Sequence, residues 1–424
     1  MFKRFSIYLV VLLAGFSAIA EPMATNLTPE SAVAMALANN RDLAAARFAI
    51  RQAEGRLKQA GLWPNPEFEL GGKNDSAFAS DGEYDFATGF KQRFPITGRL
   101  TKAKAVARVD VALALAEVRN QERLLAGDVL GRSRDLLVTE EKLKANQELQ
   151  TTIQKLIEVS ENRLKVAEIS AADVNLAKLE LQKLTLAQAA LLNQREIAMT
   201  ALNGLLGREP KTPLQMSGAA SAEFDTNNVA EVSRQALAHR PDRQLAALGI
   251  NRAGAEIKLA RAERWEDWTV GFDYSRSVGK FTAPIGTKTD NFLGVGVSIP
   301  LPLWNRNQGR ISEAQATQER AEAELKALDL RIATETQTTE NQMRRWIGIL
   351  RQYREESIKL AEENIVLLQK GYGDGLVNIT AVIQAQQQLT DLRQSYLEAL
   401  GGFEQALTDW QTATASFPLN PLEK

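Results

Sequence analysis

Residues 84–94 read YDFATGFKQRF, and residues 268–275 read WTVGFDYS. In both stretches large apolar residues alternate with polar or small ones, which predicts β-strands with one apolar and one polar face. A similar strand covers Leu293 to Ile299, and a weaker one covers Phe68 to Gly72. Four strands with this alternation are typical of a transmembrane β-barrel. The half-buried sheet of a soluble protein is the alternative.

Proline is missing from two long blocks that follow the strand pairs. No proline lies between Ile96 and Glu209, and none lies between Leu303 and Phe417. Because a proline inside a helix costs about 3 kcal/mol, both blocks are free to form very long helices. Large residues recur in them every seven positions, which predicts supercoiled packing of the helices. These positions are Val129, Leu136, Leu143, Ile157 and Leu164 in the first block, where Gln150 interrupts the series, and Leu325, Ile332, Thr339, Trp346, Tyr353, Leu360 and Leu367 in the second.

The two halves of the chain repeat each other. Residues 36–40 read ALANN and residues 236–240 read ALAHR, while FPI at 94–96 returns as LPL at 301–303. Such matches in the same order, at a nearly constant offset, indicate a structural duplication. The predicted parts are a signal peptide (1–20), a first repeat (21–210), a linker or equatorial segment (211–228), a second repeat (229–415) and a C-terminal tail (416–424). Strands are predicted at about 67–96 and 267–302, and long helical hairpins at about 98–206 and 308–413.

The signal peptide is predicted from the first twenty residues. Lys3 and Arg4 precede an apolar run from Phe5 to Phe16, and the sequence Ala-Ile-Ala follows at residues 18–20. A basic start, a short apolar run and an A-x-A site are typical of a cleaved secretory signal. We therefore expect the chain to be exported.

Composition disfavours several classes of function. The 424 residues contain 51 lysines and arginines against 52 aspartates and glutamates, and this balance gives no electrostatic basis for binding nucleic acid. The chain has no cysteine and one histidine, His239, so we expect neither a thiolate site nor a multi-histidine metal site. The sequence shows no catalytic grouping and no phosphate-binding glycine loop. We expect no enzyme activity, no cofactor and no metal site.

A barrel requires more than one copy of this chain. Four strands cannot close a barrel, and unpaired backbone groups at an open edge cost several kcal/mol each in lipid. Two copies give eight strands, whose interior is filled by side chains, whereas three give twelve strands and room for a lumen. If the barrel prediction is correct, a homotrimer follows. Glycines expected on the inner face suit an open interior, and they are Gly72, Gly89, Gly271, Gly294 and Gly296.

Tryptophan marks one end of the strands. Four of the six tryptophans lie where strands join helices, and in two up-and-down hairpins these ends lie on the same side. We therefore predict an aromatic belt at one membrane interface. Its members are Trp63, Trp265, Trp268 and Trp304.

The whole pattern resembles the TolC-type outer-membrane efflux family over nearly all of the mature sequence. The shared features are the duplicated order of helix, strand pair and long helical hairpin, and the sequence WPNP at 63–66. The sequence PLPLWNRNQG at 300–309 is similar to the heavy-metal (cobalt–zinc–cadmium, CzcC-like) branch.

The resemblance implies a mainly helical protomer with a small transmembrane β part. Each protomer would give four strands to a trimeric twelve-stranded barrel, embedded in the lipid of the outer membrane of a Gram-negative-type cell. Its coiled helical hairpins would form a tunnel in the periplasm. The resemblance further implies the passive exit duct of a tripartite efflux system, most consistent with export of divalent heavy-metal cations. A proton-driven inner-membrane pump of the resistance-nodulation-division type would feed this duct through a periplasmic adaptor.

Two alternatives remain open at this point. One is an outer-membrane duct for drugs or for a type I secreted protein. The other, from a different class, is a soluble periplasmic coiled-coil scaffold or adaptor.

Family members dock their partners through the two hairpin tips, and the resemblance carries this role to particular residues here. Relatives often keep a glycine where Ala167 stands, and acidic residues where this chain has Ala381 and Gln384, so an acidic ring at those two positions is not expected. Asp173 and Asp374 are instead the candidate lumen or gate charges. The candidate docking residues are Leu164, Ala167, Glu168, Ile169, Ser170 and Asp173 in the first tip, and Tyr372, Gly375, Leu376, Val377 and Asn378 in the second.

Overall fold

A computed structural model describes residues 25–74, 83–218, 228–281 and 286–417. The predicted signal peptide lies outside these residues, as do positions 219–227 of the predicted linker and the tail from 418. The first half contains β1 (Thr25–Leu27), α1 (Pro29–Asn39), α2 (Arg41–Ala60), β2 (Glu67–Asn74), β3 (Tyr84–Phe94), α3 (Arg99–Lys165) and α4 (Ala171–Leu205). The second half contains β4 (Leu214–Met216), α5 (Val229–His239), α6 (Pro241–Ala262), β5 (Trp268–Phe281), β6 (Gly286–Ser298), α7 (Gln308–Gln352), a π-helical turn (Tyr353–Ser357), α8 (Ile358–Gly373) and α9 (Ile379–Thr414).

The four long strands form one antiparallel sheet in the order β2-β3-β5-β6. Its register places Phe90 opposite Phe68 on one side and opposite Phe272 on the other, so the apolar residues share one face. That face is exposed, with Leu293 and Val295 among its members. Within the part of the chain that the structure describes, β2 and β6 each have one edge without a strand partner. The sheet therefore has a bare apolar face and two open edges.

The inner-face prediction is wrong for one glycine. Gly72 pairs directly with Phe86, and directly opposed residues of antiparallel strands lie on the same face. Gly72 therefore lies on the apolar face, and Gly71 takes the polar face. The other four predicted glycines do lie on the polar face, where the neighbouring pairs are Gly89 with Asp273, Gly271 with Lys91, Gly271 with Gly296, and Asp273 with Gly294.

The helices continue the order of the strands. Near the sheet, α2, α3, α6 and α7 pack side by side in the order of β2, β3, β5 and β6, because each strand leads into or out of one of these helices. Farther from the sheet the order is α4, α3, α9 and α8. The helices α4 and α8 are therefore the two edges of this lower layer. None of the described helices is long and apolar enough to cross a membrane.

The duplication extends to backbone conformation. Three positions with left-handed backbone recur about 208 residues apart, before the long helices, at the hairpin tips and after the last helix of each half. In each pair one member is a glycine and the other is not. The pairs are Gly98 (φ 66°) with Asn307 (60°), Ala167 (58°) with Gly375 (74°), and Gly207 (71°) with Ala415 (55°).

Two equivalent junctions tie each half to its own last helix. The side-chain amide of Asn40 donates a 2.9 Å hydrogen bond to the carbonyl of Leu205. At the matching position Arg240 donates to the carbonyl of Ala413 at 3.2 Å. Arg240 is buried and also pairs with Glu335, at 2.6 Å. The two halves therefore use different chemistry at one structural position.

The two halves meet where α3 packs on α9. A Cβ atom at Gly127 would lie 2.4 Å from Oγ1 of Thr412, so glycine is required for this approach. One turn farther along, a Cβ at Gly131 would lie 3.7 Å from the methyl carbon of Thr408, which is ordinary contact. Close packing on this narrow stripe therefore sets the distance between α3 and α9.

Candidate functional site at the hairpin tips

The first tip is built by a helix end followed at once by a helix start. After α3, the amide of Glu168 donates to the carbonyl of Arg163 at 3.0 Å, and Ala167 takes the left-handed conformation that this closing motif requires. Ser170 then caps α4, since its Oγ accepts from the amide of Asp173 at 3.3 Å. In return Asp173 accepts from the amide of Ser170 at 3.2 Å. This reciprocal capping box fixes where the chain turns back.

The second tip repeats this construction with different side chains. The amide of Leu376 donates to the carbonyl of Gly371 at 2.8 Å, and Gly375 has a φ of 74°. Asn378 caps α9 by accepting from the amide of Ala381 at 3.0 Å. Val377 lies against Gly371, where a Cβ would come within 2.9 Å of its methyl carbon. Its side chain therefore fills space inside the turn.

A small hydrophobic core joins the two tips. Ile169 and Tyr372, both candidate docking residues, pack into this core. The side chain of Tyr372 is buried. These two residues therefore hold the tips together and present little surface. The buried members of the core are Ala177, Tyr372, Ile379, Val382 and Ile383.

Polar contacts also cross between the tips, and one is a 3.4 Å hydrogen bond from Arg163 to the carbonyl of Tyr372. The guanidinium carbon of Arg163 lies 3.9 Å from the ring centroid of Tyr372, a cation–π contact. Thr380 donates through its hydroxyl to Oδ1 of Asp173 at 3.4 Å. The sequence contains no signal for Arg163 as a tip residue, because its partner lies about 209 residues farther along the chain. Only the packed structure identifies it.

The exposed part of the tips is smaller than the predicted set. Ala167, Glu168, Gly375 and Leu376 are exposed, whereas Leu164 is half-buried. Val166 is a large exposed apolar residue of the first tip that the sequence prediction missed. The sequence signal that could have identified Val166 was a large apolar residue between Lys165 and Ala167, at the end of α3. Val166 and Leu376 thus form the apolar surface of the two tips.

The two candidate gate charges lie in different settings. Hydrogen bonds from the hydroxyl and then the amide of Ser170 hold the pKa of Asp173 below its usual range, and the Thr380 hydroxyl adds to the effect. The carboxylate of Asp173 is therefore engaged in holding the tip. Asp374 is exposed at the end of α8.

The four candidate belt residues lie near the end of the sheet that joins the helices. All of them are exposed. Trp268 pairs with Phe94 in the register of β3 and β5. The ring of Trp63 meets that of Phe94 edge to face, with centroids 5.9 Å apart. A row of aromatic rings therefore borders the apolar face on this side.

No group of three histidine, aspartate or glutamate side chains is placed to hold a metal ion among residues 25–74, 83–218, 228–281 and 286–417. The polar face of the sheet instead carries ion pairs. Lys91 binds Glu69 at 2.7 Å, and Arg93 binds Glu67.

Comparison with known proteins agrees with this architecture. The chain is 25% identical to the cobalt-zinc-cadmium resistance protein CzcC of Cupriavidus metallidurans over 397 residues, which cover 90% of this chain and 88% of CzcC. It is 26% identical to the pyoverdine export outer membrane protein OpmQ of Pseudomonas putida, covering 88% of this chain and 84% of OpmQ. The crystal structure of CusC superposes with a TM-score of 0.75 at 18% identity, covering 92% of each chain.

The family model describes both halves of the chain. It is the model for outer membrane efflux proteins, and it matches residues 32–208 and 232–416. The predicted family, the mainly helical duplicated protomer with four strands in its large sheet, and the outer-membrane location are thereby confirmed. The chain belongs to the outer membrane efflux protein family, which is a family of channels and not of enzymes.

Proposed function

We propose that three copies of this chain form the passive exit duct of a tripartite efflux system that exports divalent heavy-metal cations. The observation that carries this proposal is the four-stranded sheet with a bare apolar face and free edges at β2 and β6. Lipid accepts the apolar face, but it cannot accept unpaired backbone groups at the edges. Sister copies can seal both edges at once.

Closure follows from the strand order. Neighbouring strands of the sheet run antiparallel, so β6 of one copy and β2 of the next can also pair antiparallel. Three copies then give twelve strands with the polar face inward, which leaves room for a lumen. The helices α2 and α7, which lead into and out of these edge strands, come together in the same step.

The similarity to CzcC supports the proposed cargo, since CzcC is named for cobalt, zinc and cadmium resistance. The inner face carries charges that pair with each other, as in Lys91 with Glu69, and it has glycine at several other positions, among them Gly89, Gly271 and Gly294. Such a surface suits passage of hydrated ions rather than their tight binding, which takes several ligands in one geometry. Selection of the cargo then falls to the inner-membrane pump.

The hairpin tips serve as the docking site for the periplasmic adaptor in this proposal. Val166 and Leu376 offer apolar surface beside polar turn residues, and burial of such side chains contributes about 25 cal/mol per Å². Ser170, Asp173 and Asn378 contribute by fixing the turns on which this surface is presented.

A deletion strain and membrane fractionation test the proposal together. Loss of the gene should lower the concentrations of cobalt, zinc and cadmium that cells tolerate, and the full chain supplied in trans should restore them. The purified protein should be a detergent-dependent, heat-modifiable trimer from the outer membrane. A water-soluble monomer would instead favour the periplasmic scaffold.

The similarity to OpmQ supports a second cargo, because OpmQ is named for pyoverdine export. A duct for an organic compound requires the same trimer and the same tips. In that case the deletion strain keeps its metal tolerance but retains the organic compound in its periplasm. Measuring both in one strain separates the two cargoes.

A further inference from the structure

The π-helical turn changes which residues of the second long helix face α9. Met343 and Leu350 are buried and lie seven residues apart. The series continues at Ile358, which is partly buried, and at the buried Ile365 and Tyr372, so its first step after Leu350 is eight residues long. A π turn accommodates one extra residue inside a helix. The turn thus keeps the residues that pack on α9 in one continuous line along α8; this line is the seam between the two helices.

Two leucines leave the seam as a result. Leu360 and Leu367 continue the seven-residue series that includes Ile332, which is fully buried. In an uninterrupted α-helix they would also face inward, as the sequence predicts. They are instead 68% and 69% exposed. The prediction is wrong for these two residues because a one-residue insertion is invisible in a pattern of apolar spacing.

The opposite edge of the helical layer carries a matching pair. Leu179 and Leu186 of α4 are 67% and 66% exposed and also lie seven residues apart. The other face of α4 is buried on α3, through residues such as Leu184. Each edge helix of one protomer therefore presents two leucines at the same spacing and with the same exposure.

Contacts within the chain set the relative height of the two edges. The pairs Thr380–Asp173 (3.4 Å) and Gln387–Glu180 (3.0 Å) align α9 with α4. Arg393 binds Glu362 at 2.7 Å and aligns α9 with α8. Each of these contacts shows which residues of α4 or α8 lie level with a given residue of α9. Counting along α9 from one contact to the next, Leu179 lies within two residues of the level of Leu367, and Leu186 within two residues of the level of Leu360. Two residues are about 3 Å along a helix axis.

Charge is complementary between the two leucine pairs. Lys183 lies between Leu179 and Leu186; its side chain is 70% exposed, and its ammonium group lies 3.7 Å from Glu180 of the same helix, which leaves it free to reach a second carboxylate. Glu363 is exposed and lies between Leu360 and Leu367. Because α4 and α8 run in opposite directions, the order leucine, lysine, leucine on α4 meets leucine, glutamate, leucine on α8.

We propose that this face of α8 packs antiparallel on the leucine face of α4 of a second copy of the chain. In this contact Leu367 lies against Leu179, Glu363 against Lys183, and Leu360 against Leu186. The π turn makes the contact available, since it holds Ile358, Ile365 and Tyr372 on α9 and leaves Leu360 and Leu367 outside. The inference rests on the proposed trimer and specifies how the helical part of it closes.

Disulfide cross-linking tests the contact, and the chain has no cysteine of its own. The full-length variant Leu179→Cys with Leu367→Cys is oxidised mildly in outer-membrane fractions and run on denaturing gels without reductant. Covalent dimers and trimers are expected, and reductant should return them to monomers. The matched control is Leu179→Cys with Val366→Cys, because Val366 is 65% exposed and lies one residue away, about 100° around the helix. It should give at least tenfold less cross-linked product.

A charge exchange provides a second measurement that needs no new cysteine. Lys183→Glu should lower the temperature at which the detergent-solubilised trimer dissociates, and adding Glu363→Lys should restore it. Efficient cross-linking through Val366, or no link through Leu367 in an intact trimer, overturns the contact and leaves the proposed function standing. A protein that is monomeric in detergent removes the proposed function as well.

Discussion

Ala167 and Gly375 adopt the same left-handed turn at the tips of the two hairpins, with φ of 58° and 74°. Each follows a long helix, and each is followed by a residue whose amide closes the helix end, Glu168 in one tip and Leu376 in the other. A left-handed conformation costs a residue with a Cβ about 1–2 kcal/mol. The first tip thus contains strain that the second avoids.

Replacing Ala167 with glycine should stabilise the first tip. The gain in conformational energy is partly offset by the greater entropy of glycine in the unfolded chain, so a net gain of about 0.5–1 kcal/mol is expected. Slower hydrogen exchange at the amide of Glu168 would show this gain in stability. The reciprocal change Gly375→Ala should speed exchange at Leu376, and equal rates in both variants and the parent would contradict the role of backbone strain.

Gly127→Ala should destabilise the contact between the two halves of the chain. Its new methyl group would meet Oγ1 of Thr412 at 2.4 Å, and overpacking of this kind costs about 1–3 kcal/mol. The measurement is the melting temperature of the detergent-solubilised protein. Gly131→Ala is the matched control, since its methyl group meets Thr408 at 3.7 Å and should leave the melting temperature unchanged or raise it, because alanine is the better helix former. An equal loss in both variants would show that the close approach at Gly127 is not its cause.

Deletion of Arg354 from the π turn should be tolerated. Removing one residue there lets the turn relax to an α-helix and leaves Ile358, Ile365 and Tyr372 facing α9. Deletion of Lys359, an exposed residue of α8, should instead rotate Ile365 and Tyr372 by about 100° away from α9, and a lower melting temperature is expected. If both deletions change the melting temperature equally, the π turn does not set which residues of α8 face α9.

The cap at Asp173 should weaken in acid. Its folded pKa is depressed, chiefly by the Ser170 hydroxyl and amide, so the cap stabilises the tip at neutral pH. This stabilisation is lost as the pH falls through the folded pKa, which lies below the ordinary aspartate range. Amide exchange at Asp173, followed from pH 7 downward and corrected for the intrinsic rate, should show opening only at the acid end. In Asp173→Asn the tip should already be weakened at pH 7 and change little with pH.

Leu376→Ser should weaken docking of the adaptor without affecting the trimer. The side chain is 81% exposed, so its loss removes apolar surface and leaves the fold intact. Metal tolerance of cells and recovery of the adaptor with the purified channel should both fall. Leu376→Met keeps the apolar surface and should preserve both. Normal tolerance in the serine variant would remove Leu376 from the docking surface.

Most of the architecture could be predicted from two local signals. Alternation located the strands, and the absence of proline located the long helices, because both properties act on neighbouring residues along the chain. The two mistakes have different causes. Gly72 continues the alternation of Phe68 and Leu70 in an unbroken register, so alternation alone places it on the apolar face, and only the preference for a small residue in an open interior favoured the polar face. The extra residue of the π turn rotates Leu360 and Leu367 by about 100°.

The tips could be predicted only in part, for a different reason. Ser170 and Asp173 form a local capping pattern that is readable in the sequence, yet Asp173 resembled a free lumen charge because its contact with Thr380 spans more than 200 residues. The contact between Arg163 and Tyr372 has the same origin. Pairing between two repeats leaves no trace in either one alone.

The alternation of glycine and non-glycine turns has a consequence for symmetry. In the proposed trimer the duplicated chains present six hairpin ends around a ring, three built on Ala167 and three on Gly375. The ring approximates a hexagon in shape but repeats chemically only every 120°. A partner assembled from six identical subunits must therefore bind two chemically different kinds of hairpin tip, or bind only every second tip.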